Sequence, residues 1–255
     1  MGTAFGATSA HCRHCQACQL GPECFPGSVD PSGLHALEDV IEHTAPLHAG
    51  TVLFRQGDPF RYIAVIRLGT VKTYSVDREG REQTIGFHMP GDMIGLSAID
   101  DERYPCNAIA LDTVTLCKLP FRAIATLAAR TPMLQARLFR LMSRDIARAT
   151  QLSCNNTADE RLAGFLIGMA DRMAARGYSS SRWQLTMSRM DIASYLRLAP
   201  ETLSRLFRRF QEEGLLAVDG RDVELRGRER LQALAAAAPP KHADEDVIQA
   251  RSEAA

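Results

Sequence analysis

The stretch "HCRHCQACQLGPEC", residues 11–24, holds four of the chain's seven cysteines and two of its seven histidines. Thiolates bind soft and borderline metals, attack electrophiles or join as disulfides, so a cluster this dense is a candidate for any of the three. An odd total of seven argues against a closed set of disulfides. The N-terminus "MGTAFGATSA" lacks the layout of a signal peptide, and Gly6 stands where a myristoylation signal needs Ser or Thr. The apolar run "LAGFLIGMA" is too short to span a membrane and stops at Asp171. These features predict a cytoplasmic chain with no membrane partner. In that reducing compartment, metal binding or reactive thiols are favoured over disulfides. Cys15-x2-Cys18 could serve as the redox pair of an oxidoreductase, but the βαβ context of such motifs is absent. No Ser/His/Asp or phosphate-loop pattern accompanies it, so the chain does not read as an enzyme.

A second chemistry sits in "LTMSRMDIASYLRLAPETLSRLFRRFQEEGLLAV", residues 185–218. Ser188 can cap a short helix carrying Ile192, Ala193 and Leu196. Pro200 opens a second helix at a position where a missing amide hydrogen costs little. Leu203, Leu206, Phe207 and Phe210 share the inner face of that helix. Glu201, Ser204, Arg205, Arg208 and Arg209 share the outer one. The net charge of the chain is zero, so contact with nucleic acid needs a local basic patch. Six arginines between 182 and 209, against Asp191 and Glu201, supply it. Two helices joined by a tight turn describe a helix-turn-helix. Glu accepts from cytosine, Arg donates twice to guanine and Ser serves either way, while Arg208 and Arg209 suit phosphates. "LLAVDGRDVEL" follows as a two-stranded wing turned at Asp219–Gly220. A helical pair with a merely solvated charged face is the rival reading of this segment.

Around these two chemistries the chain divides into five parts. Residues 1–30 form a Cys-, Gly- and Pro-rich arm. Leu34, Leu37, Val40 and Ile41 mark a short amphipathic helix at the start of a 31–130 sensor domain. Within that domain "TVLF", "YIAVIRL", "TVKTYSV" and "QTIGFH" read as strands, punctuated by Gly57, Gly69, Gly80 and Gly91 at the rhythm of an antiparallel roll. A long helix follows over 131–155. Its Phe139, Met142, Ile146 and Ala149 recur at steps of three, four and three, a seam that can zip two identical chains; packing on its own β-domain is the alternative. Residues 156–232 carry a further helix and the winged helix-turn-helix, and 233–255 read as a disordered tail. The fold class is therefore α+β: β-roll, long pairing helix, winged helix-turn-helix.

That order, together with "LAPETLSRLFRRFQEEGLLAV", resembles the CRP/FNR family of bacterial transcription regulators over about residues 12–230. Glu-Thr-x-Ser-Arg at 201–205 is similar to the recognition-helix signature of its FNR branch, the regulators of anaerobic metabolism. The resemblance implies that Glu201, Ser204 and Arg205 read base edges of a TTGAT-type half-site, two of which form an inverted repeat for a homodimer. Thr202 is then a phosphate or packing residue. It further implies a [4Fe–4S] cluster on Cys15, Cys18, Cys24 and Cys117, whose loss to oxygen weakens the dimer. Contacts with RNA polymerase from β-roll loops are implied as well, with "SVDREGRE", residues 75–82, as the candidate surface. Cyclic nucleotide is not expected: Leu96 follows Gly95 where cyclic-nucleotide members carry Glu, and Cys106–Asn107 stand where they carry Arg-Ser or Arg-Thr. Arg103 precedes Tyr-Pro and is not assigned the phosphate role.

Other readings of the thiols stay open. Cys12, Cys15 and Cys18 offer a competing register. His11 and His14 with cysteines could hold zinc as a structural clamp, and thiol–disulfide sensing would need no metal. Cys106 and Cys154 read as small core residues, and a merely buried strand cysteine is the alternative for Cys117. Ala149 puts no acid at its seam position, which predicts a dimer less easily separated than one carrying a carboxylate there.

Overall fold

The computed structural model describes residues 15, 18, 20, 24, 25, 31–153 and 157–236. The expectations for His11, Cys12, His14, Cys154, the turn at Asn155–Asn156 and residues 237–255 concern residues outside those described. In chain order the elements are α1 (Pro31–Glu38), β1 (Glu42–His43), β2 (Val52–Phe54), β3 (Tyr62–Leu68), β4 (Val71–Val76), β5 (Glu82–His88), β6 (Met93–Ile94), β7 (Asn107–Ala110) and β8 (Thr115–Pro120). Next come α2 (Phe121–Arg130), α3 (Pro132–Ser153), α4 (Ala158–Ala175), β9 (Arg182–Gln184), α5 (Arg189–Leu196), α6 (Pro200–Glu212), β10 (Leu216–Asp219), β11 (Asp222–Leu225) and α7 (Arg228–Ala236). The chain forms two compact units, 1–153 with 186–197, and 154–185 with 198–255.

The first unit is the β-roll. Two four-stranded antiparallel sheets run β1-β8-β3-β6 and β2-β7-β4-β5. Strand periodicity divides β3 and β8 between two cores. Ile63, Val65, Cys117 and Leu119 enter one, with Phe25, Leu37, Ile124 and Leu134; Ala64, Ile66 and Leu116 enter the other, with Phe54, Val71 and Val114. Cys117 thus lies on the face opposite Val114 and Leu116, as its position in "TVTLCKL" predicts, and both faces are buried. Gly69 makes the β3–β4 corner at φ +83°, where a Cβ would stand 2.3 Å from the Thr113 carbonyl oxygen, so only glycine fits. The β4–β5 hairpin closes at Asp77, whose carboxylate accepts from the Glu79 and Arg81 amides.

Helix α3 starts at Pro132 as the sequence predicts and lies on the first core through Leu134, Leu138, Leu141 and Met142. By contact α5 also belongs to this unit. Lys72 Nζ on β4 donates to Asp191 Oδ1 at 2.7 Å and to Glu82 at 3.2 Å. The Thr84 amide donates to Ser194 Oγ at 2.9 Å, and the Phe87 and Tyr195 rings lie 5.3 Å apart. Burial acts to lower the Lys72 pKa, but the Asp191 and Glu82 carboxylates outweigh it and hold the ammonium above its ordinary value. Burial likewise acts to raise Asp191, and the hydrogen bonds from Lys72 and Ser188 bring it below the usual carboxyl value.

The second unit begins with α4, closed by a capping box between Thr157 and Glu160. The wing is a three-stranded sheet, β10-β11-β9, rather than a two-stranded hairpin. Arg182–Gln184 adds the third strand by pairing Trp183 with Val223, an addition that a run of only three residues is too short to signal. Helix α7 carries regular structure to Ala236, into the segment expected to be disordered from 233, because fully buried Leu231 anchors it.

Candidate metal centre and nucleic-acid interface

The four candidate thiols arise from three places in the first unit. Cys24 and Cys117, 93 positions apart in sequence, are 6% and 4% exposed and belong to the same core. Cys15 and Cys18 are half-buried and share one turn, closed by the Cys18 amide donating to the Cys15 carbonyl at 3.2 Å. That turn is attached to α1, where the Cys15 amide donates to Glu38 Oε1 at 2.6 Å. All five described cysteines are free of disulfides. Among the described residues, no three His, Cys, Asp or Glu side chains converge at metal-holding spacing. The donor set itself fits an iron–sulfur group: four thiols, two of them buried together and two on one anchored turn.

One neighbour of this set escaped the sequence reading. His43 pairs with Cys117 across β1 and β8, and its Nδ1 stands 3.4 Å from the sulfur. A contact between residues 74 positions apart leaves no local signal. The Lys72–Asp191 pair, 119 positions apart, escaped for the same reason.

At the positions expected from the resemblance to correspond to cyclic-nucleotide ligands, the side chains are apolar or occupied. Leu96 is buried in the first core and Cys106 in the second. Burial pushes the Cys106 thiol up to about 11, which suits a core residue. Asn107 accepts from the Gln56 amide and donates to the Tyr74 carbonyl. Arg103 donates to the Gly57 carbonyl at 2.7 Å. Tyr104, 2% exposed, stacks on Phe54 and donates to the Tyr62 carbonyl at 2.7 Å.

The pairing seam divides. Phe139 and Ile146 are 60% and 66% exposed, Ala149 is exposed, and Met142 is half-buried against the first core. One stripe of α3 covers its own β-roll, as the alternative reading expects, and a second leaves large apolar side chains in solvent.

The candidate nucleic-acid face is on α6. Ser188 caps α5 through a capping box with Asp191, Arg197 ends that helix in the left-handed region at φ 54°, and Pro200 begins α6. Leu203, Leu206, Phe207 and Phe210 are buried. Glu201, Ser204, Arg205, Arg208 and Arg209 are exposed, and Thr202 is half-buried. Ser204 Oγ donates to the Pro200 carbonyl at 2.9 Å, and Arg205 reaches Thr202 Oγ1 at 3.5 Å. Arg209 pairs with Asp159, and its Nε lies 3.7 Å from Glu213. The outward row of acceptor, hydroxyl and guanidinium is the set a major groove can engage.

A β-roll, a long helix with an exposed apolar stripe and a winged helix with a basic outer face are together the layout of a DNA-binding regulator. A model of the cyclic nucleotide-binding domain matches residues 45–131, and one of the Crp-like helix-turn-helix domain matches residues 160–234. The chain is 43% identical over 225 residues to the transcriptional activator protein anr of Pseudomonas aeruginosa, covering 87% of this chain and 92% of that one. It is 38% identical over 225 residues to the fumarate and nitrate reduction regulatory protein of Escherichia coli K12, covering 87% and 90%. Among solved structures it matches FixK2 from Bradyrhizobium japonicum with a TM-score of 0.71 and 27% identity, over 78% of this chain and 100% of that one. The chain belongs to the CRP/FNR family of transcription regulators. Among the described residues, no helix is long and apolar enough to cross a membrane.

Proposed function

We propose that the protein is a cytoplasmic transcription activator of anaerobic gene expression that acts as a homodimer on TTGAT-type inverted repeats while it holds an oxygen-labile [4Fe–4S] cluster. The observation that carries this reading is the shared burial of Cys24 and Cys117, two distant thiols in one core, with Cys15 and Cys18 on a turn tied to α1. When bound, the cluster would supply an oxygen-reactive group for which thiolates are the usual ligands. Cys15, Cys18 and Cys24 present the arm's sulfurs, and Cys117 presents that of the β-roll. Together they clamp the arm to the first core, against which α3 also packs through Leu134 and Met142. That shared core is the physical route from the thiols to the pairing helix. Neutral side chains at Leu96, Cys106 and Asn107 offer no charge-assisted partner to a cyclic phosphate, which supports a sensor that does not take cyclic nucleotide.

On DNA, Glu201, Ser204 and Arg205 read base edges, and Arg208 and Thr202 face phosphates. Arg209 reaches a phosphate by exchanging Asp159 for it. The exposed 75–82 hairpin is the surface offered to RNA polymerase. Purification under nitrogen tests the reading. Brown protein containing iron and sulfide supports it, and loss of both iron and operator binding in Cys117→Ser places the fourth ligand. Colourless protein containing zinc, or Cys117→Ser protein that keeps its iron and its operator, refutes it.

A further inference from the structure

We infer that His43 is a positioning residue for Cys117, its Nδ1–H donating to the Cys117 sulfur when that sulfur is an iron-bound thiolate; this rests on the cluster reading above. The two residues are register partners on β1 and β8, with Nδ1 and Sγ 3.4 Å apart. Against a thiol, either atom can donate. A thiolate carries no hydrogen, so only the ring can donate to it. The ring is held in register by its own strand. Next to it the Thr44 amide donates to the Leu116 carbonyl at 3.0 Å, and the Leu116 amide donates to Thr44 Oγ1 at 2.9 Å. Cys117 is buried while His43 is exposed, so the imidazole meets the sulfur from the solvent side. Hydrogen bonds to ligating sulfurs draw off electron density and fix ligand orientation, and they are among the factors that tune such centres. Among the described residues, the His43 ring is a side-chain donor placed to do this for Cys117.

The test uses full-length protein reconstituted under nitrogen, with iron release to a ferrous chelator and the sulfur-to-iron charge-transfer band as readouts. His43→Gln keeps an N–H donor, His43→Phe keeps the ring without the donor, and His43→Ala removes both. The expected result is a rate near the parent's for Gln. Phe and Ala should release iron about fivefold faster, the factor for one ordinary hydrogen bond, each with a shifted band. Parent-like release and spectrum in Phe would show that the ring only covers the sulfur, and would overturn the inference. Cys117→Ser separates the two levels. Rapid iron loss in that variant with parent-like His43→Phe and His43→Ala refutes the role of His43 alone. Unchanged iron in Cys117→Ser, or no iron in the parent, refutes the ligand reading and His43 with it. Because His43 is exposed on a two-residue edge strand, all three variants should fold, and matching far-ultraviolet circular dichroism verifies this.

Discussion

Replacing Phe139 with Ala perturbs the proposed pairing seam at its largest exposed residue. Phe139 is 60% exposed, which for a ring of about 200 Å² leaves about 120 Å² to be covered by a second chain. Truncation removes about two-thirds of that from each copy, about 160 Å² per dimer. At about 25 cal/mol per Å² this is at most about 4 kcal/mol. Contact that excludes water over only half of that surface would halve it, to about 2 kcal/mol. The corresponding rise in dimer Kd is roughly 30- to 1,000-fold. Sedimentation velocity on anaerobically prepared protein, over a concentration series at fixed salt, reads that constant directly. Met133→Ala is the control: Met133 is also 57% exposed but stands off the 139–146 stripe, so its loss should leave the constant unchanged. Ala149→Asp should weaken the dimer as well, since two facing carboxylates repel. A Phe139→Ala protein with the parent's Kd, or one matched by Met133→Ala, would falsify the assignment of the stripe as the dimer seam.

Four further outcomes follow from the structure. Arg205→Ala should lose about 1–3 kcal/mol of operator affinity with relaxed preference at one base pair. Arg208→Ala should weaken all sequences alike and reduce the salt slope by about one; equal loss of sequence preference in both variants, measured by titration across single-base operators, contradicts this division. The lowered Asp191 carboxyl contributes stability that is fully present above its ordinary value of 3.8 and is lost as pH falls through its lowered folded value. Denaturant unfolding should therefore show a stability gap between parent and Asp191→Asn that closes under acid, and a gap independent of pH refutes the pairing. With its thiol raised to about 11, Cys106 should stay unmodified by iodoacetamide at neutral pH in folded protein. Mass spectrometry finding it alkylated as fast as Cys15 would contradict its burial.

What could be read along the chain was what depends on near neighbours. Ser188 and Asp191 close a cap three residues apart, Pro200 begins α6, and the 3.6-residue period sorts Leu203 and Phe207 from Arg205 and Arg208; each of these is decided within two helical turns. The thiol spacing in the arm and the apolar stripe of Phe139 and Ile146 were legible for the same reason. Tertiary structure alone decided three things: that α5 is held by Lys72 of the β-roll, that Cys24 and Cys117 share a core, and that His43 meets the Cys117 sulfur. It also added β9 to the wing and buried both faces of β8. Local preferences act over a few residues, whereas strand register brings together side chains 74 or 119 positions apart, and no pattern within either segment records which partner the fold will supply.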